Sequence, residues 1–181
     1  MIRALAALLL TAASVSAQTS GEFAAEPTEY RMDAYRGPVP ETLSGATVVD
    51  DAAAYALWRT DRVVFIDVLP RAPKPTNLPA GTIWREKKRF SIPGAIWLPN
   101  VGYGAIASET DAYFRHHLRE ATAGDRGHPV LFFCLAGCWM SWNAAKRALE
   151  YGYTRVFWYP DGSDGWDFAA YPLEPVERAP H

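Results

Sequence analysis

An α/β fold, with a central parallel β-sheet and helices on both of its faces, is what this sequence predicts. Short, continuous apolar runs rich in β-branched and aromatic residues recur at Arg62–Val68, His128–Phe133 and Thr154–Tyr159, the pattern of strands buried on both sides. Between them lie segments with helical spacing, and strands that alternate with helices fold into parallel sheets. The chain is also the right size: without residues 1–17, roughly 160 residues remain, enough for one domain with one core.

Residues 1–17 read as a signal peptide, with Arg3, an apolar run of roughly ten residues and small residues at Val15 and Ala17. That run falls short of the about 20 residues of a membrane span, and no later window approaches it. The expectation is export, with cleavage near Ala17. Residues 18–45 are rich in Glu, Thr, Gly and Pro and form an extended N-terminal arm. Asp50 is placed to cap a first helix carrying Ala53, Leu57 and Trp58 on one face.

The strand over Arg62–Val68 leaves Asp67 at its carboxyl end. Leu69–Phe90 is proline-dense and basic, which predicts a long surface loop without regular structure, its R-E-K-K-R run (Arg85–Arg89) solvated. A Pro-Gly turn at Pro93 leads into a short strand ending before Pro99. Ser108–Ala121 is expected to open on a good cap with an acidic first turn, and it spaces Tyr113, Phe114, Leu118 and Ala121 helically. A third helix begins near Ser141 and stops at Gly152. The strand over Thr154–Tyr159 is followed by a Gly/Asp-rich loop, P-D-G-S-D-G-W-D-F-A-A-Y-P.

The composition narrows the function. A formal net charge of −2 favours neither nucleic acid nor acidic membranes. The four histidines, His116 and His117 among them, lack the Cys/His spacing of a structural zinc site, so no metal is assigned. The chemistry that remains is that of Cys134 and Cys138, in F-F-C-L-A-G-C-W-M-S. In open α/β sheets, sites form where strand carboxyl ends hand over to helices, and Cys134 lies at such a place. A helix N-terminus adds about half a positive charge, and such settings lower a cysteine pKa from about 8.5 toward 3.5–7.5. Backbone amides of Leu135, Ala136, Gly137, Trp139, Met140 and Ser141 are the expected cradle for a charged sulfur or an anionic substrate. The alternative reading is a buried cysteine, or half of a structural disulfide. Asp67 either bonds neighbouring loops or tunes the thiol. Trp139, Trp142, Trp158 and Trp166 fall near the cysteines and read as core or rim packing, some of them walling a pocket.

The succession F-I-D-V, I-P-G-A-I, V-L-F-F-C-L-A-G and N-A-A-K-R-A-L-E-Y-G-Y-T-R-V-F-W-Y-P-D-G-S-D-G-W resembles a rhodanese-homology domain over roughly Ala46–Trp166. The resemblance implies a rhodanese-like domain at 46–175 with a tail at 176–181. It implies Asp67 in the place of the family's early aspartate, Ile92–Ala95 in that of its Pro-Gly-Ala turn, and Cys134 in that of its persulfide-carrying cysteine. More narrowly, C-L-A-G-C-W-M-S-W-N-A-A-K-R-A-L-E with D-G-W resembles exported rhodanese-like proteins found with pyrroloquinoline-quinone-dependent alcohol catabolism, named for a Cys-x-x-Cys-Trp motif. That implies a periplasmic location and a quinoprotein dehydrogenase system as partner. No quinone site is visible, and no cofactor is assigned.

Two departures stand out. The spacing here is Cys-x-x-x-Cys, and the family's anion-binding loop arginine is missing, with no basic residue between Cys134 and Lys146. An arginine-free, aromatic pocket suits an organic or protein thiol better than a small inorganic anion. Two cysteines this close can form a disulfide, so Cys134 is expected to attack sulfur and Cys138 to resolve the product. The competing expectation is a non-catalytic binding or assembly module with a structural Cys134–Cys138 disulfide. Exposure of the Cys134 sulfur separates the two, since a buried bridge favours the module.

Overall fold

The computed structural model describes residues 23–181. The signal peptide assigned to 1–17 and the start of the arm, 18–22, lie outside the described residues.

Five parallel strands make the central sheet, β1 (Thr47–Val48), β2 (Val64–Asp67), β4 (Ile96–Trp97), β5 (Val130–Phe133) and β6 (Val156–Tyr159), in the order β1-β6-β5-β2-β4. The register sets Trp97, Asp67, Phe133 and Tyr159 in one row across their carboxyl ends. Successive side chains point to opposite faces. Ile66, Phe132 and Trp158 therefore pack under α2 (Ser108–Ala121) and α3 (Trp139–Glu150), whereas Phe65, Leu131 and Tyr159 pack on the side of α1 (Asp51–Trp58) and α4 (Gly162–Phe168). Helices thus cover both faces of the sheet.

Asp50 caps α1, accepting from the Ala53 N–H at 2.8 Å. Tyr113, Phe114 and Leu118 bury the inner face of α2. The cap of α2 differs from expectation, because Ser108 is already helical and Ala107, without a side-chain bond, is the N-cap. α3 also starts two residues early, at Trp139, with Cys138 as its N-cap and again no capping side chain. Its outer face is covered too, because Asn143 bonds the backbone of Arg31 and Gly102 while Arg147 donates to the carbonyls of Val101, Tyr103 and Gly104.

Three further elements depart from the sequence pattern. β1 is a two-residue strand held by β6. The Gly/Asp-rich segment is not a loop, since Gly162–Phe168 is helix α4, seated by Trp166. Leu69–Phe90 is irregular only in part, because its last residues enter β3 (Arg89–Ser91), which pairs antiparallel with β7 (Glu174–Val176). In each case tertiary pairing overrides a weak local signal. Residues 176–181 run back over the domain, with the Ala179 N–H bonded to the Trp97 carbonyl. No helix among the described residues is long and apolar enough to cross a membrane.

Candidate functional site

Cys134 follows the last residue of β5 and Cys138 caps α3, so both sulfurs lie at the helix N-terminus beyond the sheet's carboxyl edge. They are joined in a disulfide, with Cα atoms 6.1 Å apart, within the range that bridge requires. Cys134 is 0 % and Cys138 3 % exposed.

Part of the expected cradle of amides is committed elsewhere. The Ala136 N–H donates to Asp164 and the Trp139 N–H to the Tyr35 carbonyl, while the Gly137 carbonyl accepts from the Gly37 N–H. Arg36 and Cys138 pair as an antiparallel bridge, so the N-terminal arm lies directly across the cysteine loop. Gly137 has φ +59°, and a Cβ there would lie 2.9 Å from the Gly37 carbonyl oxygen; the fit needs glycine.

Trp139, Met140 and Ser141 are buried in the first turn of α3. The Trp139 indole donates to the Pro38 carbonyl, and Met140 packs on Gly102. The Ser141 hydroxyl donates to the Cys138 carbonyl and accepts from the Trp158 indole. The helix begins too early to leave them in the loop. The four tryptophans do not form one cluster either: Trp139, Trp142 and Trp158 pack with the cysteines, and Trp166 lies on the other face of the sheet.

A cavity of about 400 Å³ opens beside the loop, lined by Leu135, Ser163, Arg89, Arg71, Trp97 and Phe90, with Lys87 and Lys88 at its wall. Of the predicted binding residues only Leu135 reaches it, and neither sulfur lines it. It is not arginine-free. The absence of basic residues between Cys134 and Lys146 is made up from β3 and the segment before it.

Arg89 is the best connected of these cations, which corrects the reading of Arg85–Arg89 as a wholly solvated run. Its Nε donates to Asp67 Oδ2 at 2.7 Å, and its side chain is 10 % exposed against 0 % for Asp67. Asp67 also accepts from the Ser91 hydroxyl at 2.6 Å and the Leu69 N–H at 2.9 Å. It therefore ties loops together. Arg89 Nη2 reaches the Ser163 hydroxyl at 2.9 Å, which in turn donates to the Cys134 carbonyl at 3.2 Å. A hydrogen-bonded chain thus runs from buried carboxylate to cysteine backbone. Arg71 forms a bidentate pair with Glu86, holding that carboxyl below its ordinary pKa chiefly through the hydrogen bonds it donates.

Sequence reasoning missed Arg89, Ser163 and the covering residues Tyr35–Gly37. One signal was present: Arg89 and Ser91 stand two apart before the Pro-Gly turn, the spacing of one strand face. Nothing local marked Ser163 or the docking of the arm on the cysteine loop.

The rhodanese-like domain family matches residues 51–169. This chain belongs to the rhodanese-like family. Among solved structures, this rhodanese-like chain is similar to a protein from Bacillus halodurans at 16% identity, over 71% of this chain and 77% of that one, with a TM-score of 0.46. It is similar to a protein from Lactobacillus plantarum at 19% identity, over 70% and 87% of the two chains, with a TM-score of 0.44. It is also similar to the polysulfide-sulfur transferase homodimer of Wolinella succinogenes at 19% identity, over 76% and 83%, with a TM-score of 0.44. None of the curated proteins matches it significantly.

Proposed function

We propose that this rhodanese-like chain handles sulfur through Cys134, taking it from a donor as a persulfide, with Cys138 as the resolving thiol and the bridged pair as the oxidised, closed state. The observation that carries this reading is the placement of both sulfurs at the N-terminus of α3, within bridging reach of each other. The helix end favours thiolate over thiol.

On reduction, the Cys134 thiolate attacks the outer sulfur of a donor. The donor's S–S bond breaks and its remainder leaves with the electron pair, as sulfite when the donor is thiosulfate. Attack of the Cys138 thiolate on the Cys134 sulfur then expels hydrosulfide and restores the bridge, and a dithiol reductant reopens it. The cations of the neighbouring cavity, Lys87, Lys88 and Arg89, suit an anionic donor, and a protein thiol is the alternative partner. Export to the periplasm and service to a quinoprotein dehydrogenase system complete the reading. These rest on residues 1–17 and on the Cys-Trp motif.

A second reading has its own support. Cys134 is fully buried, the Ala136 amide is bound to α4 and the Gly137 carbonyl to the arm, as in a binding or assembly module with a static disulfide. Alkylation followed by mass spectrometry, across pH, with mild reductant and with or without thiosulfate, separates the two. Sulfur chemistry predicts labelling of Cys134 well below its ordinary thiol pKa of about 8.5 and a persulfide on Cys134 with thiosulfate. A bridge that resists mild reduction in the native fold would leave the module.

A further inference from the structure

On α2, where residues 180–181 pack against it, we infer that His116, His117 and Glu120 form a binding site for one divalent transition-metal ion of the zinc class. The helix presents both histidines to one carboxylate, at i+4 and i+3. His116 Nε2 lies 3.3 Å and His117 Nδ1 3.4 Å from Glu120 Oε2, and the three ligand atoms lie within 4.8 Å of one another. A tetrahedral ion with ligand bonds of about 2.0–2.2 Å holds adjacent ligand atoms about 3.3–3.6 Å apart. Two edges of such a site are already at that length. The third closes by rotation of His116, which is exposed.

The second observation concerns the His117 ring, buried to 7 % exposure. Its Nε2 lies 2.9 Å from the Pro180 carbonyl oxygen. A carbonyl can only accept, so Nε2 donates to it, which leaves Nδ1, the nitrogen that faces Glu120, as the one a metal ion can take. A metal-bound histidine donating its other N–H to a backbone carbonyl is the usual outer-shell support of a metal ligand. The His117 ring is further fixed edge-on by Tyr113, centroids 4.6 Å apart. The His181 ring stacks on the same tyrosine at 4.5 Å and lines the same hollow. Imidazoles with one carboxylate suit Zn²⁺, Ni²⁺ or Cu²⁺ over Mg²⁺ or Ca²⁺.

The test titrates Zn²⁺ into tag-free protein with the disulfide intact, in competition with a chromophoric chelator, so that neither thiols nor a histidine tag contribute. One ion per chain is expected, and His116→Ala and Glu120→Gln should each weaken it at least about tenfold. Both positions are exposed, and circular dichroism checks that the fold is unchanged. Nitrogen-15 spectra supply an independent readout: Zn²⁺ should shift His117 Nδ1 and leave Nε2 protonated. Failure to bind Zn²⁺, equal binding by wild type and both variants, or a His117 ring protonated on both nitrogens in the presence of Zn²⁺ would overturn the proposal.

Discussion

The loop that carries the cysteines and the segment that carries the cations meet at one cavity and are built on opposite terms. Residues 134–138 are apolar, short and closed. The sulfurs are bridged, the Ala136 amide is bound to Asp164 and the Gly137 carbonyl to the arm. Residues 69–91 are proline-rich and mostly exposed, yet they are pinned at intervals by Leu69 to Asp67, Arg71 to Glu86 and Arg89 to Asp67. One segment carries the cysteines without charged side chains and the other carries charge without a thiol. A site of this kind is separable, so each half can be removed while the other is watched.

The largest expected effect comes from breaking the anchor of the charged half. Arg89→Ala leaves the Asp67 carboxylate buried with only the Ser91 hydroxyl and the Leu69 amide to satisfy it. Removing one partner of such a buried pair costs about 3–5 kcal/mol, measurable by urea denaturation. Lys87→Ala, at an exposed position of the same wall, should stay within about 0.5 kcal/mol of wild type. A loss below about 1 kcal/mol for Arg89→Ala would mean that this segment is held by its apolar contacts instead.

The same contrast explains what the sequence revealed. The buried strands β2, β5 and β6 were legible because a strand covered on both faces reads as a continuous apolar run, as V-V-F-I and V-L-F-F are. α1 was legible through the Asp50 cap. Cys134 was legible because a strand-to-helix crossing is itself a local pattern. The cavity wall was not. Arg89 looks like any solvated arginine until β3 pairs with β7, and Ser163 looks like a loop residue until Trp166 seats α4. The early start of α3 was hidden because Cys138 offers no capping side chain, and that hidden turn moved Trp139, Met140 and Ser141 from loop to core.

A smaller effect sharpens the other half of the comparison. The disulfide spans a sequence separation of only 4, and closing so small a loop contributes about 2 kcal/mol of chain entropy. Cys138→Ala is therefore expected to destabilise the protein by about 2 kcal/mol against the bridged wild type in the same urea titration. If Cys138 resolves the product, the variant should also accumulate persulfide on Cys134 after thiosulfate treatment, seen by mass spectrometry. Accumulation no greater than in reduced wild type would remove Cys138 from the reaction and leave it a structural residue.

The smallest effect tests whether charge pairing is what distinguishes the two carboxylates at this edge of the sheet. Asp67 has Arg89, whereas Asp161, just before α4, has its pKa raised, first by burial and then by the charges of Asp51 and Asp50. The sign follows from linkage: an acid whose folded pKa lies above its unfolded value opposes folding once ionised. Its contribution is favourable below the ordinary aspartate range and is lost as pH rises through the raised folded value. Asp161→Asn removes that penalty and forfeits no cap, since the Asp161 side chain makes no capping bond. Solvent screening keeps the gain small, so the melting temperature at neutral pH should rise by no more than about 2 °C and the difference should vanish in acid. A fall at neutral pH would mean that the negative charge is instead favourable to the N-terminus of α4, and that an unpaired carboxylate at this edge is tolerated because the helix end supplies the compensation Arg89 gives Asp67.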